Sequence, residues 1–159
     1  MRHRDTPRVA LATYRALPCL DADGQRIREC LRARGLGAEA CVWDDPEVDW
    51  LDFDLVLLRS VWDYHRRWEE FANWLTRVPA LINGRVVVEW NADKRYLHDL
   101  AHCGLPVVPT LYLTPGAELE SSHLDQLSQL GDVVVKPAVS ASARDTYRCT
   151  VSVVDSGAA

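Results

Sequence analysis

The sequence lacks the cysteine and histidine spacings that build disulfide frameworks or zinc sites. Its five cysteines are odd in number, and no two of them form a Cys-x-x-Cys pair. His98 and His102 have the i, i+4 spacing that can place two imidazoles on one metal, but no third ligand accompanies them. No serine or cysteine lies in a nucleophile elbow. We therefore expect free thiols in a reducing compartment, surface histidines, no metal site and no catalytic nucleophile.

Long apolar runs and an excess of positive charge are also absent. No stretch approaches the length of a membrane-spanning helix, and no apolar signal-peptide core follows the polar first five residues. The formal net charge is −5 at pH 7, which disfavours a phosphate backbone as a partner. These features predict a cytoplasmic protein that binds neither nucleic acid nor membrane.

Apolar strand signals and amphipathic helix signals alternate in the first part of the chain. The predicted strands cover residues 8–14, 38–43, 54–58 and 86–88, and the predicted helices begin near 21 and 66. The third strand is apolar throughout, as strands covered on both faces of a parallel sheet tend to be. This alternation predicts a parallel, three-layer α/β domain over residues 1–92.

The pattern changes after residue 92. A linking helix is predicted over 93–103, a strand over 107–113 and a helix over about 119–130. An apolar strand then ends at Lys136, and residues 146–154 alternate weakly as its antiparallel partner. Residues 93–159 are therefore predicted to form a second, α+β unit.

The segment from Asp132 to Ala143 is the most informative in the chain. Three valines end in Lys136, whose ammonium must reach water or an anion because burying it unpaired is costly. The small residues that follow allow a ligand to approach the backbone closely. We therefore predict a phosphate-handling hairpin, with Lys94 as a second cation for the same ligand. The alternative is that both lysines simply face solvent at the ends of their elements.

These two lysines also carry a resemblance to a known family. Val134-Val135-Lys136-Pro137, preceded by Asn91-Ala92-Asp93-Lys94 at a helix start, resembles the ATP-grasp ligases, and their glutathione-synthetase-like members in particular. The runs 43–45, 58–64 and 139–148 add to the resemblance. It implies a Rossmann-like pre-ATP-grasp substrate domain in residues 1–92. A linking helix and the N-terminal part of an ATP-grasp nucleotide-binding lobe follow in 93–159.

The resemblance implies ATP as the cofactor and an ATP-dependent carboxylate–amine ligase that proceeds through an acyl phosphate. Lys94 and Lys136 would bind the phosphates, and Ser140 and Ser142 would donate hydroxyls to them or be ordinary loop serines. The substrates would be a small-molecule carboxylate and an amine. Relatives are often dimers, which leaves a homo-oligomer open.

Two departures from the family shape these expectations. The loop after Lys136 contains none of the glycines that many relatives have there. The metal-binding acidic residues and the catalytic arginine of ATP-grasp enzymes come later than residue 159. We therefore expect the N-terminal half of a ligase: no catalytic or metal-binding residue, Mg²⁺ only with the missing C-terminal half, and little activity alone.

A substrate site is expected beyond the carboxyl end of the third strand, where ligands of open α/β sheets bind. Arg59 could hold a substrate carboxylate, and Asp63 could orient it or bind an amine. The alternative is an Arg59–Asp63 ion pair that fixes the loop. Thr13, at the end of the first strand, could line the same cleft. For the whole chain, the competing hypothesis is a non-catalytic module that binds a small molecule or a partner.

Overall fold

The computed structural model describes residues 6–150, which belong to two compact units. The first unit ends at Ala92 and the second begins at Asp93. Each unit contains a sheet of its own, with three parallel strands in the first and two antiparallel strands in the second. Within residues 6–150, no helix has the length and apolar character needed to cross a membrane.

The sheet of the first unit has its earliest strand at the centre. β1 (Arg8–Thr13) lies between β2 (Gly37–Val42) and β3 (Leu55–Ser60), and both pairings are parallel. Every residue of β1 from Val9 onward is buried, as expected for a strand with neighbours on both edges and cover on both faces. The predicted α/β class and parallel sheet are therefore confirmed.

Two helices follow the strands as the sequence predicts. α1 (Ala22–Ala33) lies between β1 and β2, and α2 (Trp68–Leu75) follows β3. The Asp21 side chain caps α1 by accepting a hydrogen bond from the Gly24 amide at 2.9 Å. Short 3₁₀ turns at Trp50–Asp52 and Tyr64–Arg66 precede and follow β3.

The main core of this unit is aromatic. Trp74 of α2 is fully buried, and its ring lies 5.0 Å from that of Trp50 and 5.3 Å from that of Phe71, measured between centroids. Burying one such side chain stabilises the folded state by about 2–3 kcal/mol. Trp50 and Trp74 are therefore core residues of this unit. A smaller cluster of Leu11, Leu20 and Ala38 packs with α1.

The predicted strand of three valines at 86–88 is wrong. These residues belong to a helix, α3 (Arg85–Ala92), and Val88 packs against the aromatic core. The edge of β3 is occupied instead by Leu81, which forms a parallel bridge with Val56. The β-branched valines favour a strand by propensity. However, the pairing position beside β3 is occupied by Leu81, five residues before Val86.

In the second unit, the residues from 93 to 150 form two helices followed by a hairpin. Their bounds are α4 (Tyr96–His102), α5 (Ser121–Leu130), β4 (Asp132–Val135) and β5 (Tyr147–Thr150). β4 and β5 pair antiparallel, with Val135 opposite Tyr147. The predicted antiparallel pairing with the strand before Lys136 is therefore confirmed for Tyr147–Thr150. Residues 151–154 of that prediction lie outside the described residues.

Two expectations for the second unit need correction. α4 begins at Tyr96 rather than Asp93, because the Asp93 side chain accepts a hydrogen bond from the Arg95 amide at 2.9 Å and forms a turn first. Residues 107–113 form no strand. Pro106 and Pro109 remove two amide donors from this segment, which disfavours a ladder along it.

Candidate functional site

The chain contains only two lysines, Lys94 and Lys136, and both lie in the second unit. Lys136 directly follows the last residue of β4 and is exposed. Lys94 lies in the turn before α4 and is half-buried. The other residues in the combined count of lysine and arginine are all arginines. An arginine is always charged, whereas a lysine is a compact point charge whose pKa responds to burial.

The backbone at Lys94 is joined to the loop that follows Lys136. The Lys94 amide donates to the carbonyl of Ala138 at 2.9 Å, and Asp93 forms an antiparallel bridge with Val139. This short pairing brings two segments more than forty residues apart in sequence to one place. The structure thus places Lys94 beside the loop that follows Lys136.

The Lys94 ammonium is bound by the same loop. It donates to the carbonyl of Ser140 at 2.9 Å, to the Ser140 hydroxyl at 2.8 Å and to the carbonyl of Ala138 at 3.4 Å. An ammonium has three donors, so these acceptors satisfy all of them. Among residues 6–150, no carboxylate forms an ion pair with either lysine.

The two lysines are close enough to repel each other. Burial is the main cause that lowers the pKa of Lys94 below its ordinary value, and the positive charge of Lys136 lowers it further. Asp93 opposes this shift, but its carboxylate is bound by the Arg95 guanidinium at 2.5 and 2.9 Å. The pair is therefore a locally uncompensated positive charge, which favours a bound anion.

Tyr112 supports this site and was not predicted from the sequence. Its hydroxyl donates to the carbonyl of Lys94 at 2.7 Å, and its ring packs against His98 with 4.7 Å between centroids. The His102 Nδ1 atom lies 2.7 Å from the His98 carbonyl oxygen, so this nitrogen is engaged by the backbone. Tyr112 lies in the segment predicted as a strand, and that prediction gave no reason to expect its contact with Lys94.

The loop that follows Lys136, which contains Ser140 and Ser142, forms a tight turn without glycine. Ser142 and Ala143 both have left-handed backbone, with φ of 54° and 53°, and the Arg144 amide donates to the Ala141 carbonyl at 3.2 Å. Consecutive left-handed residues are typical of a type I′ turn, in which Gly or Asn is usual. The small residues thus replace the expected glycines at a cost in backbone strain. Ser142 is exposed and Ser140 is half-buried.

In the first unit, the predicted substrate residues occupy different environments. Thr13 is fully buried and its hydroxyl donates to the Leu17 carbonyl at 2.7 Å, so that hydroxyl is already used. Arg59, near the end of β3, has a buried Nε atom with no hydrogen-bond partner among the described residues. Asp63 does not pair with it. Its carboxylate accepts a hydrogen bond from the Trp43 indole at 3.0 Å instead.

A charge network that the sequence did not predict lies beyond the strand ends. Asp44 follows β2, and its carboxylate accepts hydrogen bonds from Arg67 at 2.5 Å and Arg15 at 3.1 Å. Burial alone would raise the pKa of Asp44, but the two arginines more than offset burial and lower it. Arg67 also binds Glu70 and stacks on Trp43, 4.7 Å from the ring centroid. Trp43, Asp44, Arg67 and Glu70 line a cavity of about 260 Å³.

An aromatic pair lies beyond the ends of the other two strands. The rings of Tyr14 and Trp62, which follow β1 and β3, are 6.1 Å apart between centroids, and Trp62 is 42% exposed. With β1 central and β2 and β3 on opposite sides, this is the position where crevices open in parallel sheets. Arg59 lies one residue before the end of β3, on the same edge.

Neither group of residues forms a metal-binding cluster within the described part of the chain. Within residues 6–150, no cluster of three or more His, Cys, Asp or Glu side chains could hold a metal ion. Mg²⁺ is bound through oxygen atoms, those of carboxylates, of water or of a substrate's phosphates. The side chains described here therefore do not fit an all-protein Mg²⁺ site.

Comparison with known proteins identifies a biosynthetic synthetase as a relative. Residues 9–84 match the family described as "D-cycloserine synthetase DcsG, N-terminal domain". The chain is 36% identical over 146 residues to the cycloserine biosynthesis protein DcsG of Streptomyces lavendulae, covering 88% of this chain and 49% of that protein. It also resembles the crystal structure of D-cycloserine synthetase DcsG, with a TM-score of 0.75 and 35% identity over 90% of this chain and 50% of that one. The chain thus spans about half the length of the relatives it matches.

Proposed function

We propose that this chain binds the phosphates of ATP through Lys94 and Lys136 and forms part of an ATP-dependent carboxylate–amine ligase. The observation that carries the proposal is the convergence of the only two lysines on one loop, where Lys136 lowers the pKa of Lys94. Similarity to a synthetase supports a role in biosynthetic bond formation. The ATP-grasp resemblance of the lysine motifs supports the nucleotide.

The two lysines suit phosphates because of their charge and position. In the proposed reaction, the carboxylate attacks the γ-phosphoryl group of ATP, ADP leaves, and the amine then displaces phosphate from the acyl phosphate. Positive side chains stabilise negative charge on the phosphates throughout the first step. Lys136 is exposed and free of ion pairs within residues 6–150, so it can meet an anion directly. Lys94 would supply a second positive charge to the same anion.

The first unit would hold the carboxylate substrate. Arg59 is the best candidate, because its buried Nε lacks a partner among the described residues and guanidinium forks bind carboxylates in bidentate fashion. The exposed Trp62 and its neighbour Tyr14 would flank the ligand. Asp63 would act indirectly, since its carboxylate holds Trp43. Cytoplasmic localisation fits a small-molecule ligase and remains part of this proposal.

Titration calorimetry with ATP tests the nucleotide site. Lys136→Ala should weaken binding by about tenfold or more, because a loss of roughly 1.4 kcal/mol corresponds to a factor of ten. Arg148→Ala is the matched control, since it removes an exposed cation of the same unit that is paired with Asp132. Equal affinities in the parent and Lys136→Ala would contradict the site. Absence of ATP binding in the parent would favour the non-catalytic module instead.

A further inference from the structure

We propose that Ser140 is a positioning residue that binds the Lys94 ammonium to the loop that follows Lys136. An anion can then bind Lys94 only by displacing that contact. The inference rests on the proposed function, because it concerns how the same lysine receives a phosphate. It assigns Ser140 a role different from that of a phosphate ligand. The argument depends on which groups around Ser140 can donate and which can only accept.

The hydrogen-bond roles of Ser140 are fixed by its two partners. An ammonium can only donate, so the Ser140 hydroxyl oxygen accepts from Lys94 at 2.8 Å. A carbonyl can only accept, so the same hydroxyl donates its proton to the Pro137 carbonyl at 3.2 Å. A phosphate oxygen needs a donor, and this hydroxyl has already used its only proton. In this arrangement the Ser140 hydroxyl binds Lys94 and has no proton left to donate to a phosphate.

The Lys94 ammonium therefore has two competing sets of acceptors. The first is the loop itself, through the Ser140 hydroxyl and the carbonyls of Ser140 and Ala138. The second is an incoming polyphosphate. Because all three donors are engaged by the loop, phosphate contacts to Lys94 must replace loop contacts. The observed affinity for the anion is then reduced by the stability of the loop-bound state.

Lys136 makes this competition asymmetric. It is exposed and, within residues 6–150, has no ion-pair partner, so it can attract an anion without breaking a contact. An anion held there would also remove the repulsion that acts on Lys94. The expected order is an encounter at Lys136 followed by release of Lys94 from Ser140. The backbone bond from the Lys94 amide to Ala138 can stay in place during this exchange.

Replacing Ser140 by alanine distinguishes the two roles by the sign of the effect. If Ser140 restrains Lys94, Ser140→Ala removes one of three acceptors and should tighten binding of inorganic tripolyphosphate about three- to tenfold in calorimetry. Ser140→Thr keeps the hydroxyl and should return the affinity toward that of the parent. Ser128→Ala is the matched control, because this serine donates only to the Asp125 carbonyl of its own helix. Weaker binding by Ser140→Ala would overturn the inference.

A second readout needs no anion and separates this inference from the proposed function. Amine acylation followed by peptide mass spectrometry reports how freely the Lys94 nitrogen reacts. Ser140→Ala should raise the acylation rate of Lys94 about three- to tenfold while leaving that of Lys136 unchanged. An unchanged Lys94 rate would overturn the positioning role even if ATP binds. A raised rate in a chain that binds neither ATP nor tripolyphosphate would support the positioning contact and contradict the nucleotide site.

Discussion

The Asp63 carboxylate accepts a hydrogen bond from the indole nitrogen of the buried Trp43 at 3.0 Å. This contact joins the loop after β3 to the end of β2. It also explains why Asp63 does not pair with Arg59, as one interpretation of the sequence had it. Asp63 therefore contributes first to the structure of the strand-end region and only through it to any ligand.

Removing the Asp63 side chain should destabilise the first unit. Asp63→Ala leaves the Trp43 indole without an acceptor, which we expect to cost about 1–3 kcal/mol in the free energy of unfolding. Asp63→Asn keeps an acceptor oxygen and should cost less than about 1 kcal/mol. Urea denaturation monitored by tryptophan fluorescence measures both. Equal losses in the two variants would show that the charge near Arg67, rather than the indole contact, is what matters.

The Asp44 carboxylate should make stability depend on acidic pH. Its pKa is lowered in the folded protein, since Arg67 and Arg15 outweigh its burial, so ionised Asp44 favours the folded state. That contribution is present above the pKa of the unfolded chain, near 4, and is lost as the pH falls through the lower folded value. Asp44→Asn should therefore be less stable than the parent at pH 7, and the difference should shrink toward pH 2. Glu69→Gln, an exposed change in α2, should show no such convergence.

Gly24 should resist replacement by alanine despite its place in a helix. A Cβ atom there would lie 2.8 Å from the Asp21 Oδ1 atom that caps α1 and 2.9 Å from the Leu20 Cβ. Helix propensity alone predicts that Gly24→Ala stabilises by about 1 kcal/mol. We expect a loss of about 1–3 kcal/mol instead, because the cap and the buried Leu20 must shift. Thermal unfolding of this variant, beside Ala33→Gly as a propensity reference, decides between these signs.

The repulsion between the lysines should be visible in the titration of Lys94. Burial lowers its pKa first, and Lys136 lowers it further, so Lys136→Ala should raise the pKa of Lys94 while leaving it below the ordinary value. The pH dependence of Lys94 acylation, followed by mass spectrometry, measures this pKa. Arg148→Ala should leave it unchanged. If the pKa of Lys94 is the same in the parent and in Lys136→Ala, the two ammonium groups do not share one site.

The sequence predicted those features that depend on local pattern. Apolar runs located β1 and β3, and a lysine ending a valine strand located the hairpin and its loop. The strand prediction at 86–88 was wrong because Leu81 occupies the edge of β3. That pairing is a tertiary contact, which the local pattern does not contain. The Asp44–Arg67 contact and the Tyr112 hydroxyl bond join residues 23 and 18 positions apart. No periodicity or motif encodes such pairs.

Protection of the two lysines by ATP is the most direct test of the account. Acylation of Lys94 and Lys136 would be followed in parallel, by mass spectrometry, as ATP is added to the unmodified chain. The account predicts that both lysines become protected with the same midpoint in ATP concentration, since both bind one polyphosphate. Protection of only one lysine, or of neither at ATP concentrations that saturate related sites, would contradict it.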